Sequence, residues 1–130
     1  MSTSGDTALG RTFHAALIMR DWDLFRSMLH DDVEWTLPGE NQISGRATGA
    51  DEVIARGQLI ASYGVSFTLL HILVSRENVA LNIHNEARRG DLRLDEHLAT
   101  VLRVEGARVR HIETYLSDVA GMDTFFRELP

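Results

Sequence analysis

The chain has no cysteine, and its thirteen residues counted as lysine or arginine are all arginine. The absence of cysteine excludes disulfides, thiolate nucleophiles and thiolate metal ligands. The absence of lysine excludes Schiff-base chemistry and a lysine general base. Any catalysis must therefore use the other polar side chains.

Clusters of basic residues are also absent. The arginines are scattered along a chain whose net charge is −6 and whose pI is about 5.4. Nucleic acids and anionic membranes are bound mainly through concentrated positive charge. We therefore expect no nucleic acid and no membrane among the partners of this chain.

The size and composition fit one globular domain. A chain of 130 residues with 44% hydrophobic content can build a continuous core. We expect a flexible N-terminus at residues 1–7 and a single domain over residues 8–130. Residues 1–10 are polar, unlike a signal peptide or a membrane span, and this predicts a cytoplasmic protein.

Helical periodicity marks the first half of the chain. Apolar residues recur at helical spacing from Leu9 to Leu17, and the pattern restarts after an N-cap cluster at residues 21–23. A third helix is expected over residues 51–63 and a short final helix over residues 118–129. Two short strands, at residues 33–37 and 44–47, lie between the second and third helices.

The second half of the chain is dominated by extended runs. Four such runs, at residues 65–75, 78–88, 92–104 and 108–116, are separated by turn residues. They predict an antiparallel meander. Helices followed by a long curved sheet indicate an α+β fold, with the helices on one face of the sheet.

Two motifs carry a resemblance to a known family. The first is Trp35-x-x-Pro-Gly, followed by Ile-Ser-Gly at residues 43–45 and by Gly49, and the second is the run over residues 108–118. With the order of elements, they make residues 8–128 similar to the SnoaL-like and ketosteroid-isomerase-like branch of the nuclear transport factor 2-like superfamily. The resemblance implies a cone-shaped fold, in which three N-terminal helices pack on a curved, mostly antiparallel sheet.

The catalytic residues of that superfamily are missing at the matching positions. Ketosteroid isomerase uses an Asp base with a Tyr and a protonated Asp as oxyanion donors. The resemblance places the Tyr, the base and the protonated Asp on Phe13, Leu37 and Thr100. The acid of SnoaL-like cyclases falls on Thr114, and the Arg-x-Asp pair of the epoxide hydrolases falls on Asn82 and His84. These mechanisms are therefore not inherited.

Strand pairing predicts which side chains face the pocket. A three-residue loop at residues 105–107 would set Val104 opposite Arg108, and a similar loop at residues 89–91 would set Arg88 opposite Leu92. The predicted sheet wall then consists of Asn82, His84, Glu86, Glu96, Leu98, Thr100, Ile112 and Thr114. Trp35 lies across from it, and Phe13 and Met19 complete the lid side.

One pair in that predicted wall could move a proton. In this register His84 lies opposite Glu96, and a carboxylate beside an imidazole fixes its tautomer and raises its basicity. Together with the resemblance, the pair implies a cofactor-free isomerase, cyclase or hydratase acting on an apolar, aromatic, polyketide-like or steroid-like molecule, with His84 as general base. Two alternatives are a non-catalytic ligand carrier and a structural interaction domain.

Histidines and carboxylates elsewhere suggest other roles. His and Glu are two residues apart at 84–86 and at 111–113, as zinc or iron sites can require, but the predicted pairing places the two motifs on opposite sheet faces. We therefore expect no metal and no cofactor. The convex face is expected to gather His97, His111, Glu113 and Tyr115, and a mixed face of this kind predicts a homodimer through the sheet.

Three further features have a plain structural interpretation beside the functional one. Trp35 could stack on a flat ligand or fill the core. His71 fits a half-buried strand residue better than a ligand-binding residue. The acidic pair Asp31-Asp32 resembles a catalytic carboxylate pair, but its position favours a solvated turn.

Overall fold

The computed structural model describes residues 3–128 of the chain. The elements in chain order are helices α1 (Thr3–Met19) and α2 (Trp22–Ser27), strands β1 (Leu29–Leu37) and β2 (Gly45–Thr48), helix α3 (Ala50–Ser62), strands β3 (Ser66–Val74), β4 (Asn78–Arg89), β5 (Leu92–Glu105) and β6 (Arg108–Leu116), and helix α4 (Val119–Phe125). The expected order of helices and strands is therefore present. Residues 3–7 of the expected flexible N-terminus belong to helix α1, and residues 1–2 lie outside the described residues.

The strands form one six-stranded sheet in the order β2-β1-β6-β5-β4-β3. Neighbouring strands are antiparallel, except that β1 and β6 are parallel. Helices α1, α3 and α4 pack on the concave face, where the hydrophobic core lies. This arrangement confirms the predicted cone-shaped α+β fold. Within residues 3–128, no helix combines the length and apolar character that crossing a membrane requires.

Two aspartates begin helices as their positions in the sequence suggested. The Asp21 carboxylate accepts a hydrogen bond from the Leu24 amide at 3.1 Å, and the Asp118 carboxylate accepts one from the Gly121 amide at 2.9 Å. Each bond satisfies an amide that has no partner within the helix. The second cap fixes the start of α4, whose buried side chains close the cone.

The turn between β4 and β5 is one residue shorter than expected. Arg89 pairs with Leu92, and Gly90 takes a φ of 58° that suits a two-residue hairpin turn. A shift of one residue moves every side chain of a strand to the other sheet face. The predicted pairing of β4 and β5 is therefore wrong, and His84 lies opposite His97 instead of Glu96.

The turn between β5 and β6 is also short, but here the faces are preserved. Glu105 pairs with Arg108 across Gly106 and Ala107, which take φ values of 60° and 66°. An irregularity beyond Val104 then shifts the register once more. Beyond the irregularity the two shifts together leave the side chains on their expected faces, and Thr100 pairs with Thr114 instead of Ile112.

Strand β1 begins before the acidic pair that was expected to form a turn. Asp31 and Asp32 lie inside β1 with exposed side chains. Non-local pairing explains the early start, since Leu29 pairs with Val109 and the Val109 amide donates to the Met28 carbonyl at 2.8 Å.

His71 departs from its expected environment as well. It lies on β3 beside an irregularity in the pairing with β4, and its side chain is exposed instead of half-buried. A β-bulge re-aims the side chains around it, which accounts for the difference.

Candidate functional site

A cavity of about 50 Å³ lies between the helices and the concave face of the sheet. Its walls are aliphatic and aromatic side chains of α1, α3, α4 and the strands, and its polar lining comes from Asn85, Thr100, Thr114 and the Trp35 indole. This space holds a few waters or a few ligand atoms. Pockets for drug-sized ligands measure about 300–1,000 Å³, so a larger ligand requires the lining to move apart.

Five of the predicted pocket residues line this cavity. They are Phe13, Trp35, Leu98, Thr100 and Thr114. Phe13 comes from α1, Trp35 from β1, and the other three from β5 and β6. Their contact with a ligand stays a prediction.

Four other predicted pocket residues lie elsewhere. Met19, at the end of α1, is 71% exposed, and Ile112 is a fully buried core residue outside the cavity lining. Asn82 and Glu86 lie on the convex face because of the one-residue shift in β4. These placements correct the predicted wall.

Three polar side chains form a hydrogen-bonded chain in the cavity wall. The Trp35 indole N–H donates to Thr114 Oγ1 at 3.1 Å, and the hydroxyls of Thr114 and Thr100 are 3.3 Å apart. The indole can only donate, so the two hydroxyls share one bond and have two protons between them. One hydroxyl proton therefore remains available to a hydrogen-bond acceptor in the cavity.

Asn85 is the polar cavity residue that the sequence analysis did not select. It is 7% exposed and lines the cavity, and its side-chain oxygen has no hydrogen-bond partner in the described part of the chain. A signal for it was present in β4, where the large apolar residues Val79, Leu81 and Ile83 alternate with small or polar residues. That alternation places odd-numbered residues, Asn85 included, on the core face.

The cavity lining contains no titratable side chain among residues 3–128. The nearest buried cation is Arg56, on α3, which lies behind Trp35 with its guanidinium 5.2 Å from the ring centre. Arg56 Nη1 donates to the Trp35 carbonyl at 2.8 Å, and Nη2 donates to the carbonyls of Ser44 and Gly45 at 3.2 Å each. Burial lowers the pKa of Arg56 from its usual value. The residue fixes the hairpin that carries Trp35.

The proposed His84–Glu96 pair does not form. His84 Nε2 lies 2.6 Å from the Asp95 carboxylate on the convex face, and the His84 ring stacks on the His97 ring. The hydrogen bond with His84 lowers the pKa of the Asp95 carboxyl. The geometry therefore contradicts the predicted acid-base pair.

Glu96 points to the opposite face and is 1% exposed. Its Oε1 accepts a hydrogen bond from the Asp118 amide at 2.7 Å and one from the Ser117 hydroxyl at 3.4 Å. Burial raises the pKa of Glu96. Glu96 thus ties β5 to the start of α4 and does not line the cavity.

The convex face gathers the residues that were expected there. The pairings Ala99–Tyr115, Val101–Glu113 and Arg103–His111 place these side chains on one face, with His97 two residues before Ala99. The homodimer through this face stays a prediction. Light scattering on the purified chain during size-exclusion chromatography tests it.

Comparisons with known proteins agree with the resemblance seen in the sequence. The model of the SnoaL-like domain family matches residues 10–112. Bal32a, from a soil-derived mobile gene cassette, is 25% identical with a TM-score of 0.91, over 95% of this chain and 98% of that chain.

Two other solved structures are similar in fold. An NTF2-like protein from Burkholderia xenovorans is 21% identical with a TM-score of 0.83, over 98% of this chain and 99% of that chain. A protein named as a proposed ketosteroid isomerase, from Kribbella flavida, is 23% identical with a TM-score of 0.73, over 98% of this chain and 92% of that chain.

Proposed function

This chain belongs to the SnoaL-like domain family, and we propose that its cavity binds a small, mainly apolar molecule without acid-base catalysis. The ligand carries at least one hydroxyl, carbonyl or amide group. The observation that carries this proposal is the buried Asn85 amide, whose oxygen lacks a partner in an otherwise apolar cavity.

An unpaired buried amide is unfavourable. Leaving a buried donor or acceptor without a partner costs about 1–3 kcal/mol, and a ligand that supplies the missing hydrogen bond recovers that energy. The oxygen and nitrogen of an Asn amide can exchange places by a flip of the group. A ligand hydroxyl, which both donates and accepts, satisfies Asn85 in either orientation.

The threonine pair supports a second polar contact. The hydroxyl proton left over at Thr100 and Thr114 can be donated to a carbonyl or hydroxyl oxygen of the ligand. Thr100 pairs with Leu81, four residues before Asn85, which places the two polar positions about 13 Å apart along the sheet. A ligand that reaches both has an apolar middle section and must widen the cavity.

The absence of titratable side chains from the described cavity lining favours binding over catalysis. General acid-base catalysis needs a group within hydrogen-bond reach of the proton that moves. His84, the base expected from the sequence, lies on the other side of the sheet. Among residues 3–128, the cavity lining therefore supplies no base for the isomerase and cyclase mechanisms of similar folds.

Substituting Asn85→Leu is expected to abolish ligand binding and to raise the free energy of unfolding of the ligand-free chain by about 1–3 kcal/mol. Leucine has the same branched arrangement of side-chain heavy atoms and removes the amide with its unpaired oxygen. Untargeted mass spectrometry of molecules retained by the purified chain measures the first effect, and urea denaturation of the stripped chain measures the second.

Asn82→Leu is the matched control for that substitution. Asn82 lies on the same strand but on the opposite face, where its amide donates to the Leu98 carbonyl at 3.3 Å. This variant should retain the same molecules as the wild type. The proposal is wrong if Asn85→Leu retains them too, or if the stripped Asn85→Leu chain is less stable than the wild type.

Substituting His84→Gln is expected to leave ligand binding unchanged, because the imidazole does not reach the cavity. The measurement is the quenching of Trp35 fluorescence on ligand addition, made in a Trp22→Phe background so that Trp35 is the remaining tryptophan. A large loss of affinity in the His84 variant would show that His84 contributes to the ligand site.

A further inference from the structure

Four polar side chains form a compact square on the convex face, near the turn between β4 and β5. His84 and Glu86 lie two residues apart on β4, and His97 and Asp95 lie two residues apart on β5. His84 pairs with His97, and Glu86 pairs with Asp95. Residues two apart on a strand share a face, and directly paired residues are adjacent across it.

The side chains of this square lie close together. The rings of His84 and His97 are parallel within 5° at a centroid separation of 4.2 Å. One ligand atom from each of His84, Asp95 and His97 lies within 4.8 Å of the others. The His97 ring nitrogens make no hydrogen bond within the described residues, so they are available to a ligand.

From this geometry we propose that His84, Asp95 and His97 bind one divalent transition-metal ion of the zinc type. Two imidazoles and one carboxylate are ligands that suit zinc, nickel, cobalt and ferrous iron, whereas magnesium and calcium prefer sites made of oxygen alone. Three protein ligands leave at least one position open to water or to another molecule.

Glu86 has the position of a supporting residue in this site. Its carboxylate lies 3.6 Å from His84 Nδ1, on the side of the ring away from Asp95. Metal-binding histidines commonly present their second ring nitrogen to a carboxylate, which fixes the tautomer and strengthens the metal-binding nitrogen. At 3.6 Å the Glu86 carboxylate is beyond hydrogen-bond distance of Nδ1, and it must approach the ring to support His84 once Nε2 binds the ion.

Binding an ion requires a rotation of one imidazole and a shift of Asp95, because the in-plane lone pairs of two parallel, stacked rings do not point at one common position. The present separation of His84 Nε2 and Asp95 Oδ1 is 2.6 Å, whereas two ligands of a tetrahedral zinc ion are about 3.3 Å apart. The Asp95 side chain is 54% exposed and free to move by that amount.

Positive charge lies close to the proposed metal site. Arg88 and Arg93 form the next pair along the same face, toward the turn, and they oppose a cation. The carboxylates of Glu86 and Asp95 lie closer to the two imidazoles and offset that repulsion.

Zinc titration of the chelator-treated full chain, followed by calorimetry, tests the proposal. We expect one ion per chain, with cobalt in place of zinc giving the visible absorption of a nitrogen- and oxygen-ligated ion. His97→Gln and Asp95→Asn should weaken zinc binding by more than about 100-fold, and Glu86→Gln by about 10–100-fold. Circular dichroism checks that each variant is folded.

His111→Gln is the matched control. His111 lies on the same face with Glu34 3.7 Å from its ring, and it is not part of the square. This variant should bind zinc as the wild type does. No zinc binding by the wild type, unchanged binding in both His97→Gln and Asp95→Asn, or equal loss in His111→Gln would overturn the proposal. Since the site and the cavity occupy opposite sheet faces, neither result depends on the ligand proposed above.

Discussion

Replacing Arg56 with alanine is expected to lower the free energy of unfolding by about 3–5 kcal/mol. Arg56 is 9% exposed, and its guanidinium donates to the carbonyls of Trp35, Ser44 and Gly45. Its removal takes one hydrogen bond from the buried Trp35 carbonyl, takes one each from the Ser44 and Gly45 carbonyls, and opens a void beside the Trp35 ring. Urea denaturation followed by circular dichroism measures the loss.

Arg26→Ala is the control for that experiment. Arg26 forms an ion pair with Asp51 at 2.7 Å, but the two side chains are 52% and 90% exposed. Exposed pairs contribute about 0–1 kcal/mol, so this variant should remain close to the wild type. A loss in Arg56→Ala no larger than in Arg26→Ala would show that the hairpin holds Trp35 without the arginine.

The sequence predicted the elements of this fold because each one carries a local signal. The helices show apolar periodicity, and two of them begin at Asp21 and Asp118, whose carboxylates cap free amides. The strands alternate and are separated by glycine-containing turns. These signals act within a few residues, so they can be recognised without knowing what packs against each element.

The predicted strand faces agree with the structure for Leu98, Thr100 and Thr114 and are wrong on β4, because strand faces depend on turn length to a single residue. A two-residue turn at Gly90 and Asp91 reverses the face of every side chain in β4 relative to the three-residue loop. At the next turn an irregularity beside Val104 restores the expected face. Neither detail is visible in the turn residues alone.

The hydrophobic pattern of β4 could have corrected the error. Burying the side chains of Val79, Leu81 and Ile83 contributes far more free energy to folding than placing His84 in the cavity would. The apolar residues therefore determine which face of β4 packs on the core. The resemblance to enzymes of the superfamily had drawn attention to the polar residues instead. The apolar pattern of a strand is therefore the stronger guide to its register.

Strand β1 shows where local sequence signals fail to predict secondary structure. Asp31 and Asp32 are poor strand residues, and local propensity predicts a turn. Parallel pairing with β6 overrides that preference, and the Arg110 guanidinium donates to the Asp32 carbonyl. Contacts between residues nearly 80 positions apart cannot be inferred from a local pattern.

Glu96 offers a test of how the sheet holds the final helix. The carboxylate is buried and accepts from the Asp118 amide, and Asp118 in turn caps α4. Substituting Glu96→Ala should lower the free energy of unfolding by about 2–4 kcal/mol, because it leaves the amide unpaired and creates a cavity. Because Met122 and Phe126 of this region line the cavity that we propose binds a ligand, the same variant should also weaken that binding.

Glu96→Gln should differ from Glu96→Ala in its effect on the free energy of unfolding, and this effect should depend on pH. Burial raises the pKa of Glu96 in the folded chain above its value in the unfolded chain, so the folded state binds the extra proton more tightly. The stability from this residue is fully present below the unfolded pKa, about 4.3, and is lost as pH rises through the folded pKa.

Glutamine keeps the oxygen that accepts from the Asp118 amide but does not ionise. Relative to the wild type, Glu96→Gln should therefore gain stability between pH 5 and pH 7.5, measured by urea denaturation at both values. A Glu96→Gln chain that is destabilised at pH 7.5 as much as Glu96→Ala would show that the buried group must be charged to hold α4 in place.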